Sequence, residues 1–323
     1  MKKRIISGIV FGLIFFPSIY FGGIYFLLVS LFCGAVGTFE LMNMFYKKSK
    51  TLNVMRFVVP AFSVIIIFLM HMFEAKVDCY SFAWNGISLS LIKDVSISAN
   101  LFVMYLGLML ASYMLFTLIF FVFMVLKKDA TAYDLLACIT SLTYGGLLLG
   151  AAFNLEYFKP ISYSGEGTRW GGQVLAYVYA VVCLTDVFAY LVGRKFGKHK
   201  LCPHISPKKT IEGSIGGLVI ASVLGVGIAK LFGVMPVSSS SSSAEIIAAI
   251  LAFLLSSIVI SILSQIGDLA ASRLKRTYEI KDYGNIMPGH GGIMDRFDSF
   301  ILAGSIIYVF AMISKLIFIG FGL

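Results

Sequence analysis

The sequence predicts an all-α, polytopic integral membrane protein with about nine transmembrane helices. Of its 323 residues, 59% are hydrophobic and only 13% are charged, and the mean hydropathy is +0.92. Long apolar runs alternate with short polar segments. Backbone polar groups that cross hydrocarbon must be hydrogen-bonded internally, and these runs are too long for barrel strands. Helices are therefore the expected spanning elements.

Nine apolar runs are long enough, or nearly so, to cross a bilayer. They cover about residues 5–20, 23–45, 57–74, 100–126, 133–157, 172–192, 213–234, 245–266 and 299–320. The first run directly follows a basic N-terminus, as in a signal peptide. Because a second run arrives at once and no small-residue cleavage site precedes it, we interpret the first run as a retained anchor.

The basic residues give the orientation, because Lys and Arg in short loops stay on the cytoplasmic side. If the N-terminus is cytoplasmic, the outer segments contain only four of them, Lys76, Lys93, Lys159 and Arg169. The C-terminus is then outside. The net charge of +10 follows mainly from this bias and favours anionic lipid head groups; it does not indicate a nucleic-acid partner.

The polar residues divide the chain into two regions. Residues 1–171 form an N-terminal membrane region of about five spans without recognisable chemistry, and residues 172–323 form a C-terminal region that carries the candidate site. Glu40, near the inner end of the second run, is the exception in the first region. An ionisable group in hydrocarbon is costly and often functional, although a hydrated position at the interface explains Glu40 equally well.

The first concentration of polar residues spans 185–217. Asp186 lies inside the sixth apolar run, where a carboxyl group is expected to face protein or a water-filled cavity. The sequence "SPKKT" follows, just before the seventh helix, and a helix N-terminus attracts anions. We therefore expect a phosphate-binding corner made by Ser206, Lys208, Lys209 and Thr210. The alternative is that these basic residues only set the topology.

The second concentration begins at the cytoplasmic end of the eighth run. Asp268, Ser272 and Lys275 are separated by four and three residues, so they share one face of a continuing helix. We therefore expect a carboxylate, a hydroxyl and an ammonium group to lie along the same face of this helix.

A glycine-rich segment follows, with Pro288, Gly289, Gly291 and Gly292 around His290. Such a segment permits positive φ and a close backbone approach to a phosphate or metal. Asp295 and Asp298 then share one side of the last helix. Two acidic sites around a basic, glycine-rich loop favour a divalent metal that holds a polyphosphate. Helix capping by Asp295 with loop salt bridges is the alternative.

The segment "SRLKRTYEIKDYGNIMPGHGGIMDRFD", residues 272–298, resembles the signature of the phosphatidate cytidylyltransferases, or CDP-diglyceride synthetases. The matching positions are Ser272, Lys275, Arg276, Lys281, Asp282, Pro288, His290, Gly291, Gly292, Asp295, Arg296 and Asp298. Met287 departs from the usual Leu, Ile or Phe but keeps an apolar side chain. The resemblance is strong over about residues 180–300 and elsewhere extends only to hydropathy.

This resemblance implies an enzyme of phospholipid biosynthesis that joins CTP and phosphatidic acid into CDP-diacylglycerol and releases pyrophosphate. It also implies Mg²⁺ with a second, monovalent cation, K⁺, and a homodimer. We expect the protein in a bacterial inner membrane, with its active site facing the cytoplasm.

We assign three groups of residues to this chemistry. The metal ligands are Asp268, Asp295 and Asp298. The catalytic residues are Asp268, Asp295, Lys275, Arg276, Lys281 and Arg296. The substrate-binding residues are Asp186, Ser206, Lys208, Lys209, Thr210, Ser272, Asp282, His290, Gly291 and Gly292.

Two other functions stay open on the sequence alone. An ion-coupled transporter would use intramembrane carboxylates, but it predicts charged residues near the midplane of several spans, whereas these crowd at one face. Another CTP-using lipid enzyme, such as a polyprenol kinase, would transfer the γ-phosphoryl group and release CDP.

Overall fold

The computed structural model describes residues 2–78, 95–157, 170–237, 241–289 and 291–321, and these ranges are mostly helical. The α-helices are α1 (Lys2–Phe21), α2 (Gly23–Lys48), α3 (Met55–Asp78), α4 (Val95–Leu126), α5 (Ala132–Ser141), α6 (Leu149–Phe153), α7 (Trp170–Phe196), α8 (Ile211–Leu231), α9 (Ser243–Thr277) and α10 (Met294–Phe321). Two short 3₁₀ helices cover Lys50–Asn53 and Asn154–Tyr157.

Eight helical stretches of the described chain are long and apolar enough to cross a membrane. They correspond to eight of the nine predicted runs. The remaining run lies in α1, whose apolar part, Ile6–Phe21, is shorter. The polytopic helical class is therefore confirmed, whereas the ninth span and the sides of the two termini stay predictions.

The fifth predicted run is not one regular α-helix. A π-helical segment, Leu142–Leu148, joins α5 to α6, and the run ends in a 3₁₀ turn. Gly145 and Gly146 lie in this segment, where the backbone packs closely on neighbours. A Cβ on Gly146 would approach within 3.0 Å of the Ser63 side chain on α3. π-Helical turns often lie at functional sites.

Helices α7 and α8 pack closely because glycines face the contact. A Cβ on Gly213 would lie 2.6 Å from the carbonyl oxygen of Ala189, and one on Gly217 would lie 2.7 Å from that of Thr185. Small residues permit such close approach of helices in a membrane. The contact fixes the region around Asp186 against the beginning of α8.

The basic segment between α7 and α8 is a β-hairpin, so the protein is not purely α-helical. Strand β1 (Lys200–Cys202) pairs antiparallel with β2 (Ser206–Thr210), with Lys200 opposite Thr210 and Cys202 opposite Ser206. "SPKKT" was expected in a basic loop and instead forms β2. A hairpin pairs backbone groups that a free loop leaves to water, and Thr210 then caps α8 by accepting from the Gly213 amide at 3.2 Å.

Helix α10 connects the two regions of the chain. It packs against α9 and α7 on one side and against α6 and α2 on the other. Buried Phe297 of α10 contacts Phe15 of α1 and Phe153 of α6, with ring centroids 5.3 and 5.1 Å apart. The first turn of α10, which carries Asp295 and Asp298, is thereby supported by helices of the N-terminal region.

Candidate active site

A cavity of about 520 Å³ lies between the hairpin, α7, α8 and α9. It brings together the two polar concentrations that are about 80 residues apart in sequence. Its charged and polar lining includes Asp186, Arg194, Lys208, Lys209, Gln265 and Asp268. Ser206 and Thr210 also line it, so every residue predicted for the phosphate-binding corner borders this cavity.

Lys209 and Asp268 form an ion pair across the cavity. Lys209 comes from β2 and Asp268 from α9, and the second carboxylate oxygen of Asp268 accepts from the Ser272 hydroxyl at 3.2 Å. Asp268 and Ser272 meet because they are one helical turn apart on α9. The predicted shared face of α9 is therefore confirmed.

Lys275, the third residue of that face, reaches α10. Its ammonium group donates to Asp295 Oδ1 at 2.9 Å and to Asp298 Oδ2 at 3.2 Å. The Lys275 and Asp295 side chains are only 12% and 6% exposed, so water screens this interaction little. Asp295 and Asp298 meet the same lysine because they are three residues apart on one helix.

Ser299 links Asp186 to the same group of residues. Its hydroxyl, which has one proton, donates to Asp186 Oδ2 at 3.0 Å, and the same oxygen lies 3.4 Å from Asp298 Oδ1. The charges of Asp186, Asp268 and Asp298 also act on one another. We call Asp186, Asp268, Asp295 and Asp298 the carboxylate cluster. Two lysines, Lys209 and Lys275, form its ion pairs among the described residues, which leaves an excess of carboxylates.

The glycine-rich loop wraps around Asp295. Oδ2 of Asp295 accepts from the amides of Tyr283 at 2.8 Å and Gly292 at 3.0 Å. Gly289 and Gly291 have φ angles of 80° and 85°, which side-chain-bearing residues rarely adopt, so the predicted positive φ is confirmed. Asp295 therefore also secures the loop, as the capping alternative expected, while its other oxygen meets Lys275.

Tyr283 fixes this loop to α9. Its hydroxyl donates to the carbonyl oxygen of Ala271 at 3.1 Å, and burial raises the pKa of that hydroxyl. The hydroxyl therefore remains a donor, and the loop is held beside Lys275.

Several predicted residues lie away from the cavity. Arg276, Lys281 and Asp282 are exposed, and Arg276 donates to the carbonyl oxygen of Ile280 at 3.3 Å in the turn after α9. Arg296 is half-buried on α10. His290 lies outside the described residues. The assigned roles of these residues stay predictions.

Two residues of the N-terminal region reach the site although they were not assigned to it. Glu40 of α2 accepts from the amides of Ile293 and Met294 at 3.1 and 3.0 Å. Tyr144 of the π-helical segment has a buried hydroxyl without a hydrogen-bond partner among the described residues. The charges of Asp268, Asp295 and Asp298 act on this hydroxyl. Only the unusual location of Glu40 in an apolar run was visible in the sequence.

The carboxylate cluster supplies the oxygen ligands that Mg²⁺ prefers. Within the described part of the chain, no three His, Cys, Asp or Glu side chains already converge as a metal site. Mg²⁺ commonly binds through one or two carboxylates together with substrate phosphates. The residues present therefore fit a metal that binds with its substrate.

The fold and the site together define a polytopic membrane protein with charged and metal-compatible chemistry at the ends of its helices. The cytidylyltransferase family model matches residues 2–314. The phosphatidate cytidylyltransferase of Bacillus subtilis is 32% identical over 308 residues, which cover 95% of this chain and 96% of that protein. The phosphatidate cytidylyltransferase of Staphylococcus haemolyticus is 33% identical over 305 residues, with 93% and 95% coverage. The chain belongs to the cytidylyltransferase family.

Proposed function

We propose that this protein is a CTP:phosphatidate cytidylyltransferase of phospholipid biosynthesis. The phosphate oxygen of phosphatidic acid attacks the α-phosphorus of CTP, a new P–O bond forms, and the bond to the leaving pyrophosphate breaks. The products are CDP-diacylglycerol and pyrophosphate. The observation that carries the proposal is the cavity in which hairpin lysines meet the carboxylate cluster, within a chain that resembles phosphatidate cytidylyltransferases over nearly its full length.

The main task of this site is to bring two polyanions together. The lipid phosphate already carries an anionic oxygen, so the reaction needs no strong general base. Charge neutralisation and in-line positioning are then the principal contributions to catalysis. Lys208 and Lys209 on β2 and Lys275 on α9 supply positive charge at the two sides of the site.

We propose Asp268 and Asp295, with Asp298 beside them, as the candidate ligands of Mg²⁺, one or two of which would hold the metal together with substrate phosphates. When bound, it would neutralise charge on the CTP phosphates. The cluster carries four carboxyl groups against two paired lysines, so added positive charge is favourable. We also propose K⁺ as a second cation, from the family resemblance.

Substrate polyanions compete with carboxylates for the lysines. Lys209 and Lys275 are held by Asp268 and by Asp295 with Asp298, so their ammonium groups are already oriented toward the site. Lys275, Arg276, Lys281 and Arg296 would stabilise the transition state and the pyrophosphate. Ser206, Lys208, Lys209 and Thr210 would bind either the lipid head group or the nucleotide.

The remaining assigned groups complete the substrate site. We propose that six residues orient substrate phosphates and the lysines that bind them: Asp186, Ser272, Asp282, His290, Gly291 and Gly292. The protein works as a homodimer in a bacterial inner membrane, with the site facing the cytoplasm.

The identity of the nucleotide product tests this function. Purified protein in detergent, supplied with Mg²⁺, phosphatidic acid, a polyprenol and CTP labelled in the cytidine ring and in the γ-phosphate, should form labelled CDP-diacylglycerol and pyrophosphate. Omission of phosphatidic acid is the control. Release of CDP, with the γ-phosphate on a lipid alcohol, would instead identify a lipid kinase and would overturn the proposal.

A further inference from the structure

Glu40 is a buried carboxyl group that contacts the same glycine-rich loop as Asp295. It lies on α2 and is 3% exposed. Its two oxygens accept from the amides of Ile293 at 3.1 Å and Met294 at 3.0 Å. These amides lie at the beginning of α10, where backbone N–H groups have no partner within the helix. Glu40 therefore fixes the start of the helix that carries Asp295.

The other end of the loop meets Glu40 as well. A Cβ added to Gly284 would collide with the Glu40 side chain, and the three nearest atoms all belong to Glu40. The same is true of Gly292. The absence of a side chain at both positions lets the two ends of the loop approach a single carboxyl group. The Glu40 side chain thus lies in the space that side chains at positions 284 and 292 would otherwise fill.

Asp295 binds the residues next to those that Glu40 contacts. Oδ2 of Asp295 accepts from the amides of Tyr283 and Gly292, whereas Glu40 contacts Gly284 and the amides that follow Gly292. Two carboxyl groups therefore contact the same two backbone stretches. A displacement of either stretch would also displace Asp295 Oδ1 from Lys275.

We propose that Glu40 is a positioning residue for the transfer reaction. It holds both ends of the 283–294 segment so that Asp295 presents one oxygen to Lys275 and the reacting groups. It acts through Asp295 and the loop backbone, with no contact to substrate. The assignment rests on the proposed function only in that Asp295 belongs to the transfer site.

The first test replaces Glu40 by Gln. Glu40→Gln keeps the shape but replaces one acceptor oxygen by an amide nitrogen, which cannot accept from an N–H group. We expect kcat to fall at least ~10-fold, equivalent to about 1.4 kcal/mol, and the Mg²⁺ concentration for half-maximal rate to rise. Both are measured per folded molecule in detergent, with the folded fraction taken from size-exclusion chromatography.

Asp134→Asn is the matched control. Asp134 is another buried carboxyl group of the N-terminal region, and it accepts from the Thr131 amide at 2.9 Å to cap α5. We expect this variant to lower the melting temperature and leave the Mg²⁺ dependence unchanged. If Glu40→Gln only lowers the folded amount, with normal kcat and Mg²⁺ dependence per folded molecule, Glu40 has no positioning role and the proposal is wrong.

A double-mutant cycle with Gly284 supplies a second, independent test. Gly284→Ala alone should reduce turnover at least ~10-fold, because the added methyl group displaces Glu40. In a Glu40→Ala background the long side chain at position 40 is absent, so Gly284→Ala should reduce turnover less than ~3-fold. This non-additivity is expected for residues in contact. Equal effects in both backgrounds would contradict the proposed contact.

These measurements separate the two proposals. If the wild-type protein released CDP, the proposed transfer would be wrong, and the cycle measured on CDP release would still test the role of Glu40. If it releases pyrophosphate and the cycle is additive, the function stands and the role of Glu40 is refuted.

Discussion

At the scale of single residues, the site consists of carboxylates and lysines that neutralise one another. Lys209 and Asp268 form one ion pair, and Lys275 joins Asp295 and Asp298. Buried ion pairs contribute little net stability, because desolvation of the charges offsets their attraction. In the proposed reaction, these ion pairs hold the charged groups in fixed positions for polyanionic substrates.

Replacing Asp268 by Asn tests the cluster most directly. The change keeps the size of the side chain and its bond with Ser272, but it removes the charge that faces Lys209 and the proposed Mg²⁺. We expect CTP-dependent turnover to fall at least ~10²-fold, since the loss of metal-assisted charge stabilisation costs several kcal/mol. The measurement is turnover during an Mg²⁺ titration in detergent, with gel filtration to check folding.

Asp295→Asn should cause a similar loss of CTP-dependent turnover, whereas Asp298→Asn should reduce turnover less. One oxygen of Asp298 accepts from the Ser299 amide at 2.9 Å, and an Asn oxygen can replace it. Near-normal turnover and Mg²⁺ dependence in both Asp268→Asn and Asp295→Asn would refute the metal assignment and leave only a loop-positioning role.

Tyr144 offers a test in which activity and stability should change differently. A buried hydroxyl without a partner costs about 1–3 kcal/mol, so Tyr144→Phe should not lower the melting temperature. If the hydroxyl binds a substrate phosphate or an ordered water in the working enzyme, turnover should fall ~10-fold. Tyr113→Phe, which removes a hydroxyl that contacts Thr143 at 2.7 Å, is the control. Unchanged turnover in Tyr144→Phe would exclude a role for this hydroxyl.

At the scale of elements, irregular backbone brings polar groups into the site. The π-helical segment carries Tyr144, and the β-hairpin carries Lys208 and Lys209. The hairpin lacks the hydrophobic period from which helices are predicted, whereas the π-helical segment lies within a run predicted as one helix. The hairpin leads directly into α8, and the π-helical segment packs against α3, so both are supported by long helices.

Thr210 connects the hairpin to α8 and is predicted to contribute stability. Its hydroxyl caps the helix by accepting from the Gly213 amide, and loss of such a cap costs about 1 kcal/mol. We expect Thr210→Ala to lower the melting temperature in detergent, whereas Thr210→Ser, which retains the hydroxyl, should stay near wild type. A Thr210→Ser variant as unstable as Thr210→Ala would show that the methyl group is what matters.

At the scale of the whole molecule, α10 unites the two regions of the chain. In its first turn, Asp295 accepts a hydrogen bond from Lys275 of α9, and the Met294 amide donates to Glu40 of α2. The site is therefore built from helices that are distant in sequence. The long α9, with 35 residues, extends the polar face beyond the predicted run to Lys275.

The arrangement of spans predicts which segments share a side of the membrane. Along the chain, three membrane-spanning stretches lie between Lys128 and Ser240, one from α5 to the 3₁₀ turn and the other two α7 and α8. Ser240 itself lies outside the described residues. Single cysteines at these positions, in a variant without native cysteines, should react with an impermeant reagent from opposite sides, Ser240 from outside. Labelling of both from the same side would contradict the topology and the cytoplasmic location of the site.

The sequence by itself determined the helical membrane class and the shared helix face of Asp268, Ser272 and Lys275. Hydropathy depends on composition along the chain, and the face shared by Asp268, Ser272 and Lys275 follows from the helical period. These are local properties, so they could be predicted without knowledge of long-range contacts.

Only the tertiary structure decided how the two polar concentrations meet and what supports them. The Lys209–Asp268 ion pair, the Ser299 link to Asp186 and the contact of Glu40 with Gly284 join residues far apart in sequence. Their proximity depends on helix packing, which a single sequence does not encode in any local period. Glu40 shows the difference clearly, because its unusual position was visible in the sequence but its partners became evident only when α2 and α10 were seen in contact.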